Sequence, residues 1–226
     1  MSGVNTMRRE FAVGMFALGL LAHASAGFAQ KSTAASSTEV VFGPFGLAAF
    51  NSSSSIVTPF QDVLVTTIKP AGGKDLFINV SMETGIFAVP TLINNPQPAP
   101  GFALTIAQPE TQLQVRVLMD CQDCAKPYTE RLAVPGLVNF ENLLRSALHF
   151  NAVGQDSITD PVTQLGVRSF AFVARDVGVG VHTIRVQARF ATSAQVLSVN
   201  GFAFAGVQAR IGTRTATVEE VKLDAQ

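Results

Sequence analysis

Tryptophan is absent from the sequence, and Tyr128 is its single tyrosine. Sandwich proteins that bind carbohydrate usually expose tryptophan and tyrosine rings on which sugars can stack. The scarcity of these rings counts against a glycan-binding surface. The 17 phenylalanines are instead suited to the interior of a β-sandwich, because a phenyl ring carries no polar group that needs a partner.

Charged residues are also scarce, at 14% of the chain against about a quarter in typical soluble proteins. The 16 lysines and arginines balance the 16 aspartates and glutamates. A nucleic-acid-binding protein needs a basic excess to displace counterions, so no nucleic-acid partner is expected. The hydrophobic content of 47% excludes disorder for most of the length. So few charges indicate that strand surface is covered, either by a second sheet or by a partner.

Catalytic motifs are missing as well. The sequence has no Gly-x-Ser-x-Gly elbow, no HExxH pair and no glycine-rich phosphate loop. Acidic residues are scattered among the predicted loops, and the carboxylates on strands that could act as a pair are Glu83 and Glu141. We therefore predict a protein that is not an enzyme and that uses neither a cofactor nor a metal ion.

Two histidines, His149 and His182, lie beyond the N-terminal segment. His182 is in phase with Ile184 and Val186, so it is predicted on the core side at the start of a strand. There it would tie the adjacent turn by a side-chain hydrogen bond; the alternative is a catalytic base or a metal ligand. If the chain has a site, we expect it to involve His182, Asp176 and His149.

The two cysteines, Cys121 and Cys124, are separated by two residues. A disulfide is the expected state of such a pair in an oxidising compartment, and free thiols, a redox site and a metal site are the alternatives. A thioredoxin-like site would place the motif at the start of a helix, and the neighbouring Asp120 and Asp123 would disfavour a thiolate. A zinc site would need four ligands, and the sequence shows neither a second cysteine pair nor a nearby histidine.

The N-terminal segment has the features of a signal peptide. Two arginines, Arg8 and Arg9, precede an apolar run from Phe11 to Ala22, and small residues follow at the expected cleavage positions. The run is short of the ~20 residues that a membrane-spanning helix needs, although a signal anchor is the alternative. We predict a signal peptide over residues 1–29, a secreted or periplasmic location, and no transmembrane segment in the mature chain.

Alternation of side chains is the main structural signal. Val167–Phe190 predicts two strands joined by a glycine-containing turn at residues 176–180, and we expect the two strands to pair as a hairpin. Phe60–Lys69 and Leu76–Met82 predict a second hairpin. The cleanest further strand is Gln112–Asp120, which runs directly into the cysteine pair.

Other segments carry less regular signals. Residues 136–150 fit a strand or a helix, and we favour a strand because their neighbours are strands. Five prolines between Pro90 and Pro109 predict a long irregular loop, since proline cannot donate to a strand ladder. Residues 30–55 are predicted to be a flexible leader with an edge strand. Residues 56–226 are predicted to form one all-β domain, an antiparallel β-sandwich or jelly roll.

The segment Gly180–Gln187, GVHTIRVQ, resembles a hairpin that recurs in exported bacterial β-sandwich proteins, mostly without assigned function. The resemblance covers about two dozen residues around this hairpin. It implies an exported, sandwich-like protein and carries no catalytic residues across.

Together these features predict an exported, non-enzymatic β-sandwich that acts by binding or assembly at or outside the cell surface. Its partner would be another protein, a surface component or further copies of the same chain in a homo-oligomer. One alternative is a small-ligand or glycan-binding module that uses the loop at residues 90–110. Another is a hydrolase or metal-dependent enzyme with a site near His182.

Overall fold

The structure, a computed structural model, describes residues 31–49, 52–94, 103–144, 147–151, 157–159, 162–199 and 201–222. β-strands are the only regular secondary structure in these ranges, and no helix there has the length and apolar character needed to cross a membrane. The predicted signal peptide lies outside the described residues. Numbered along the chain, the strands are β1 Ser32–Ser37, β2 Val41–Phe42, β3 Gly46–Ala49, β4 Ser53–Val57, β5 Gln61–Ile68, β6 Lys74–Asn94, β7 Ala103–Cys121, β8 Tyr128–Leu132, β9 Val138–Leu144, β10 Ala147–Asn151, β11 Ser157–Thr159, β12 Val162–Val177, β13 His182–Val199 and β14 Gly201–Val221.

The strands form two antiparallel sheets, which confirms the predicted antiparallel β-sandwich. In sheet A, the long strands β6 and β14 pair in the middle; β1, β2 and β3 follow one another along the free side of β14, and β12 and β11 line β6. In sheet B, β7 and β13 are central; β5 and β4 line β13, and β8, β9 and β10 line β7. Each sheet therefore has four rows, of which most outer rows are divided among short strands.

The core lies between the inner faces of the two sheets. Alternate residues of β6 point inward and are completely buried, and alternate residues of β7 meet them from the other sheet. Burying one such side chain contributes about 1.5–3 kcal/mol. A smaller second cluster is built mainly from alanine. The inward-facing sets are Ile78, Val80 and Met82 on β6, Val115, Val117 and Met119 on β7, and Ala48, Ala194, Val196 and Ala205 in the second cluster.

The predicted hairpin at Val167–Phe190 is wrong in its pairing. Both strands are present, but β12 pairs with β6 in sheet A, whereas β13 pairs with β5 and β7 in sheet B. The glycine-containing segment at residues 178–181 thus crosses from one sheet to the other. The same holds for the second predicted hairpin, because β5 lies in sheet B and β6 in sheet A. Alternation shows which face of a strand is apolar, and two strands that face each other across a core have the same pattern as two that pair.

The predicted irregular loop at residues 90–110 is also largely strand, because β6 extends to Asn94 and β7 begins at Ala103. The prolines lie where a ladder is interrupted. Pro90 falls between Ala88, which pairs with β12, and Thr91, which pairs with β11. Pro109 likewise falls between the residues of β7 that pair with β10 and with β9. Between the ends of two such strands no backbone group is available to accept a hydrogen bond, so the missing N–H of proline removes no bond from the sheet. Residues 95–102 lie outside the described ranges.

Two further predictions concern segments near the sheet edges. Residues 136–150, which fitted a strand or a helix, contain β9 and β10, so the preferred strand is confirmed. The segment expected to be a flexible leader forms β1, which pairs with residues 214–219 of β14, and the expected edge strand is present as β2 and β3. The sandwich therefore includes residues on the N-terminal side of the predicted boundary at 56.

Candidate functional site

His182 is the first residue of β13 and points into the sandwich. It is completely buried, as is Ile184 two residues further on, which confirms the predicted core-side position. Its partners in the neighbouring strands are Ile68 of β5 and Cys121 of β7. The antiparallel register therefore brings the histidine next to the cysteine pair.

Both ring nitrogens of His182 have hydrogen-bond partners. Nε2 is 2.9 Å from the carbonyl oxygen of Gly178, and Nδ1 is 2.8 Å from the hydroxyl of Tyr128. A carbonyl oxygen only accepts, so Nε2 donates to Gly178, and Nδ1 accepts from Tyr128. Burial raises the pKa of Tyr128, an effect that Arg131 partly offsets, so the phenol retains the proton that it donates. His182 thus ties the segment between β12 and β13, as predicted.

Cys121 and Cys124 form the predicted disulfide, with their Cα atoms 5.7 Å apart. Both cysteines are buried, and the segment that crosses between the sheets lies directly on them. Gly180 has a φ of +151°, and a Cβ there would lie 2.7 Å from the sulfur of Cys124 and 2.8 Å from that of Cys121. The N–H of Val181 donates to Asp123 Oδ1 at 2.7 Å and fixes the segment in place.

Cys121, Cys124 and His182 together form what we call the cysteine–histidine cluster. Their sulfur and ring-nitrogen atoms all lie within 4.8 Å of one another, and Cys124 Sγ is 3.7 Å from His182 Nε2. Sequence reasoning missed this grouping, because Cys124 and His182 are 58 residues apart in the chain. The sequence did contain a signal. If the strand that ends at Asp120 pairs antiparallel with the strand that starts at His182, the cysteines at the end of the first meet the histidine at the start of the second.

The other two candidate residues do not join this cluster. Asp176 is exposed and has a left-handed φ of +51°, and its N–H donates to Asp75 Oδ1 at 2.8 Å, at the end of β12. His149 lies on β10 opposite Thr105, near the start of β7, whereas His182 lies opposite Cys121 at the end of the same strand. The two positions are separated by roughly 50 Å at ~3.3 Å per residue.

A second polar group links the two sheets through Glu141. This residue of β9 is buried, and its carboxylate accepts hydrogen bonds from Thr84 Oγ1 at 3.2 Å and Gln164 Nε2 at 3.0 Å. It also accepts from Arg168 Nε at 3.1 Å, and this bond raises the pKa of Arg168. Glu83, the strand carboxylate that could have acted as a pair with Glu141, instead accepts from the N–H of Thr213 at 3.4 Å. It neighbours the inward-facing Thr84 and so points to the opposite side of sheet A, and the structure does not bring the two carboxylates together.

Among the residues that the structure describes, no strand lies along the outer side of β12, which is therefore an open sheet edge. The strand has 16 residues, whereas the strands that divide the other three outer rows have two to eight. Val173 exchanges two hydrogen bonds of 2.8 Å with Val134, and in the described part of the chain this is the one ladder contact on that side. The register with β6 is regular, so every second residue before Val173 also directs its N–H and C=O outward. These residues are Thr163, Leu165, Val167, Ser169 and Ala171.

The outer face of sheet A next to this edge exposes several apolar side chains. Leu165 is 58% exposed, Val167 68% and Phe42 61%. Between Phe42 and Leu165 runs a groove of about 240 Å³, with Gly85 and Arg210 in the same row of paired residues. A Cβ on Gly85 would lie 2.7 Å from Arg210 Nε and 2.9 Å from Leu165 Cδ2, so this glycine leaves room for both side chains at the groove. The open edge and the groove form one continuous surface.

No model of a known protein family matches the chain, and no curated protein matches it.

Proposed function

We propose that this protein is an exported, non-enzymatic β-sandwich that acts by assembly, and that it pairs with a second copy of itself through the open edge of β12. The observation that carries the proposal is the length of this edge: five alternate residues direct their peptide groups outward with no charged side chain among them. Natural sheets usually protect such edges with charges, prolines or bulges. Along residues 163–171 the register of β12 with β6 has no bulge and the strand has no proline, and its one charge, Arg168, is paired with Glu141, so this edge is suited to receive another strand.

The edge is complementary to itself. Antiparallel pairing about a twofold axis at Val167 places Leu165 opposite Ser169, and Thr163 opposite Ala171. All ten outward peptide groups then gain partners, and each such hydrogen bond contributes about 0.5–1.5 kcal/mol net. The two copies of Val167 lie side by side on the outer face, where cross-strand pairs of β-branched residues are favourable.

Charge and space also favour this register. Arg168 of one copy lies opposite Gly166 of the other, and no atom lies within 4 Å of the position that a Cβ on Gly166 would take. The guanidinium of Arg168 is already paired with the buried Glu141, so two copies can approach without an uncompensated charge. Exposed Leu165 and Val167 each gain a side-chain neighbour from the other copy, which removes part of their apolar area from water.

The limits of the edge support a second copy as the occupant. At one end Val134 takes up the outward groups of Val173. At the other end the sequence places Pro161, which has no N–H, directly before β12. The unpaired stretch of β12 is therefore bounded at both ends, and the same stretch of a second copy has the length needed to pair with all of it.

The alternative functions have less support. His182 is completely buried and both its ring nitrogens are bonded, so a substrate could not reach it without opening the crossing segment. A ligand-binding role for residues 90–110 stays a prediction, since residues 95–102 lie outside the described ranges.

Light scattering coupled to size-exclusion chromatography, over a range of concentrations, tests the assembly. We expect the wild type to have twice the mass of one chain. Val167→Pro should be monomeric, because proline removes the central outward N–H without breaking a hydrogen bond to β6. Val167→Lys should also be monomeric, because it places two like charges at the axis. Val65→Lys is the matched control: Val65 is a half-exposed strand valine of sheet B, and its replacement should leave the dimer intact. A monomeric wild type, or a Val65→Lys protein that dissociates as fully as Val167→Lys, would overturn the proposal.

A further inference from the structure

We infer that the cysteine–histidine cluster becomes a binding site for one Zn²⁺ ion when its disulfide is reduced. This inference is independent of the proposed assembly, because the cluster lies at the end of sheet B and the open edge belongs to sheet A. The ligands would be the sulfurs of Cys121 and Cys124 and Nε2 of His182. In the oxidised state the two sulfurs are bonded to each other and supply no thiolate.

The separations of the donor atoms fit zinc. Zn–S bonds of about 2.3 Å and Zn–N bonds of about 2.0–2.1 Å place tetrahedral ligands roughly 3.5–3.8 Å apart. Cys124 Sγ and His182 Nε2 are already 3.7 Å apart. All three donor atoms lie within 4.8 Å of one another, and breaking the bond between the two sulfurs lets them separate to the distance that the ion requires.

The surroundings of His182 are those of a metal ligand. Metal-binding histidines usually have their second ring nitrogen held by a hydrogen bond, which fixes the ring orientation. Tyr128 holds Nδ1 in this way at 2.8 Å. When Nε2 binds the ion, the proton moves to Nδ1, which then donates to the oxygen of Tyr128. The carbonyl oxygen of Gly178 loses its donor and, at 2.9 Å from Nε2, is one candidate for a fourth ligand.

The charge balance of the buried cluster favours a divalent ion. Reduction by an external dithiol adds two electrons and two protons to the disulfide, giving two thiols, while the dithiol is oxidised to its own disulfide. Each thiol then releases a proton to solvent as it binds the ion. Two thiolates and a neutral imidazole around Zn²⁺ have no net charge, which suits a site whose three residues are all buried.

The experiment uses the purified full chain, reduced with a phosphine and then freed of reductant. Co²⁺ is the probe, because its thiolate complexes absorb in the near ultraviolet and visible ranges. We expect the reduced wild type to bind one equivalent of Co²⁺, which Zn²⁺ displaces, and the oxidised protein to bind none. His182→Gln should bind at least about tenfold more weakly, whereas His149→Gln, the matched control, should bind as the wild type does.

Tyr128→Phe separates positioning from ligation. It leaves all three ligands in place and removes the partner of Nδ1, so affinity should fall by about 10–100-fold. Far-ultraviolet circular dichroism shows whether each variant is folded. If His182→Gln does not fold, the histidine resonances of the reduced wild type decide: Zn²⁺ should shift those of His182. A folded, reduced wild type that binds no Co²⁺, a His182→Gln protein with wild-type affinity, or an unshifted His182 would overturn the inference.

Discussion

A single glycine decides how closely the crossing segment can lie on the disulfide. The Cβ position of Gly180 is within 3 Å of both sulfur atoms and of a carboxylate oxygen of Asp123. Its φ of +151° is one that residues with a side chain rarely adopt. The sequence shows the glycine but not this role, because only the fold brings the segment onto the cysteines. The role of His182, in contrast, can be predicted from the sequence. Its alternation with Ile184 predicts that it is buried, and its place at the start of a strand predicts a hydrogen bond to the adjacent turn.

We therefore expect Gly180→Ala to lower the free energy of unfolding by about 1–3 kcal/mol, because the methyl group must displace the sulfurs and the backbone is strained. Urea titration followed by circular dichroism measures the change. Gly178→Ala is the control, since nothing lies within 4 Å of its Cβ position. It should change stability by no more than about 0.5 kcal/mol. Equal effects of the two substitutions would contradict the packing of Gly180 on the disulfide.

At the scale of strands, alternation predicted most elements and their inward faces but not their neighbours. Val115 and Val117 of β7 are buried as their pattern indicates, and Gln112–Asp120 is part of a strand. Which strands pair depends on contacts across the whole chain, which a local pattern does not contain. Proline was misleading for a related reason: Pro90 and Pro109 are excluded from a ladder only where a neighbouring strand needs their N–H.

Glu141 supports a prediction about how β9 is held against sheet A. Glu141→Gln should lower the free energy of unfolding by about 1–3 kcal/mol, because the new amide group is buried facing donors from Gln164 and Arg168. Arg168 is half exposed, so little of this loss comes from the ion pair itself. Glu83→Gln is the matched control on the other face of sheet A and should stay within about 0.5 kcal/mol of the wild type. Chemical denaturation measures both, and a Glu83→Gln change as large as that of Glu141→Gln would contradict this role.

At the scale of the whole molecule, composition predicted the fold class correctly. Few charges, many phenylalanines and repeated alternation leave a two-layer β structure as the architecture that buries so much apolar surface. The open edge of β12 could not be predicted, because a strand lies at an edge only if no other strand pairs with one of its sides. That depends on how the whole chain folds. The cysteine–histidine cluster required the register of two distant strands.

The proposed export concerns the whole chain and gives a further prediction. The disulfide Cys121–Cys124 fits an oxidising compartment. N-terminal sequencing of protein recovered from outside the cytoplasm should give a first residue near Gly27 or Gln30. Recovered protein that begins at Met1 would contradict cleavage of a signal peptide.

The position of β14 has a consequence for when the molecule can fold. This strand lies in the middle of sheet A, where β6 pairs on one side and β1, β2 and β3 on the other. Until residues 201–221 have left the ribosome, β1, β2 and β3 have no strand to pair with in sheet A, and β6 lacks the ladder on one of its sides. We therefore expect sheet A to stay incomplete until β14 is synthesised, and an incomplete sheet leaves the preceding polypeptide extended enough to pass through a narrow translocation channel.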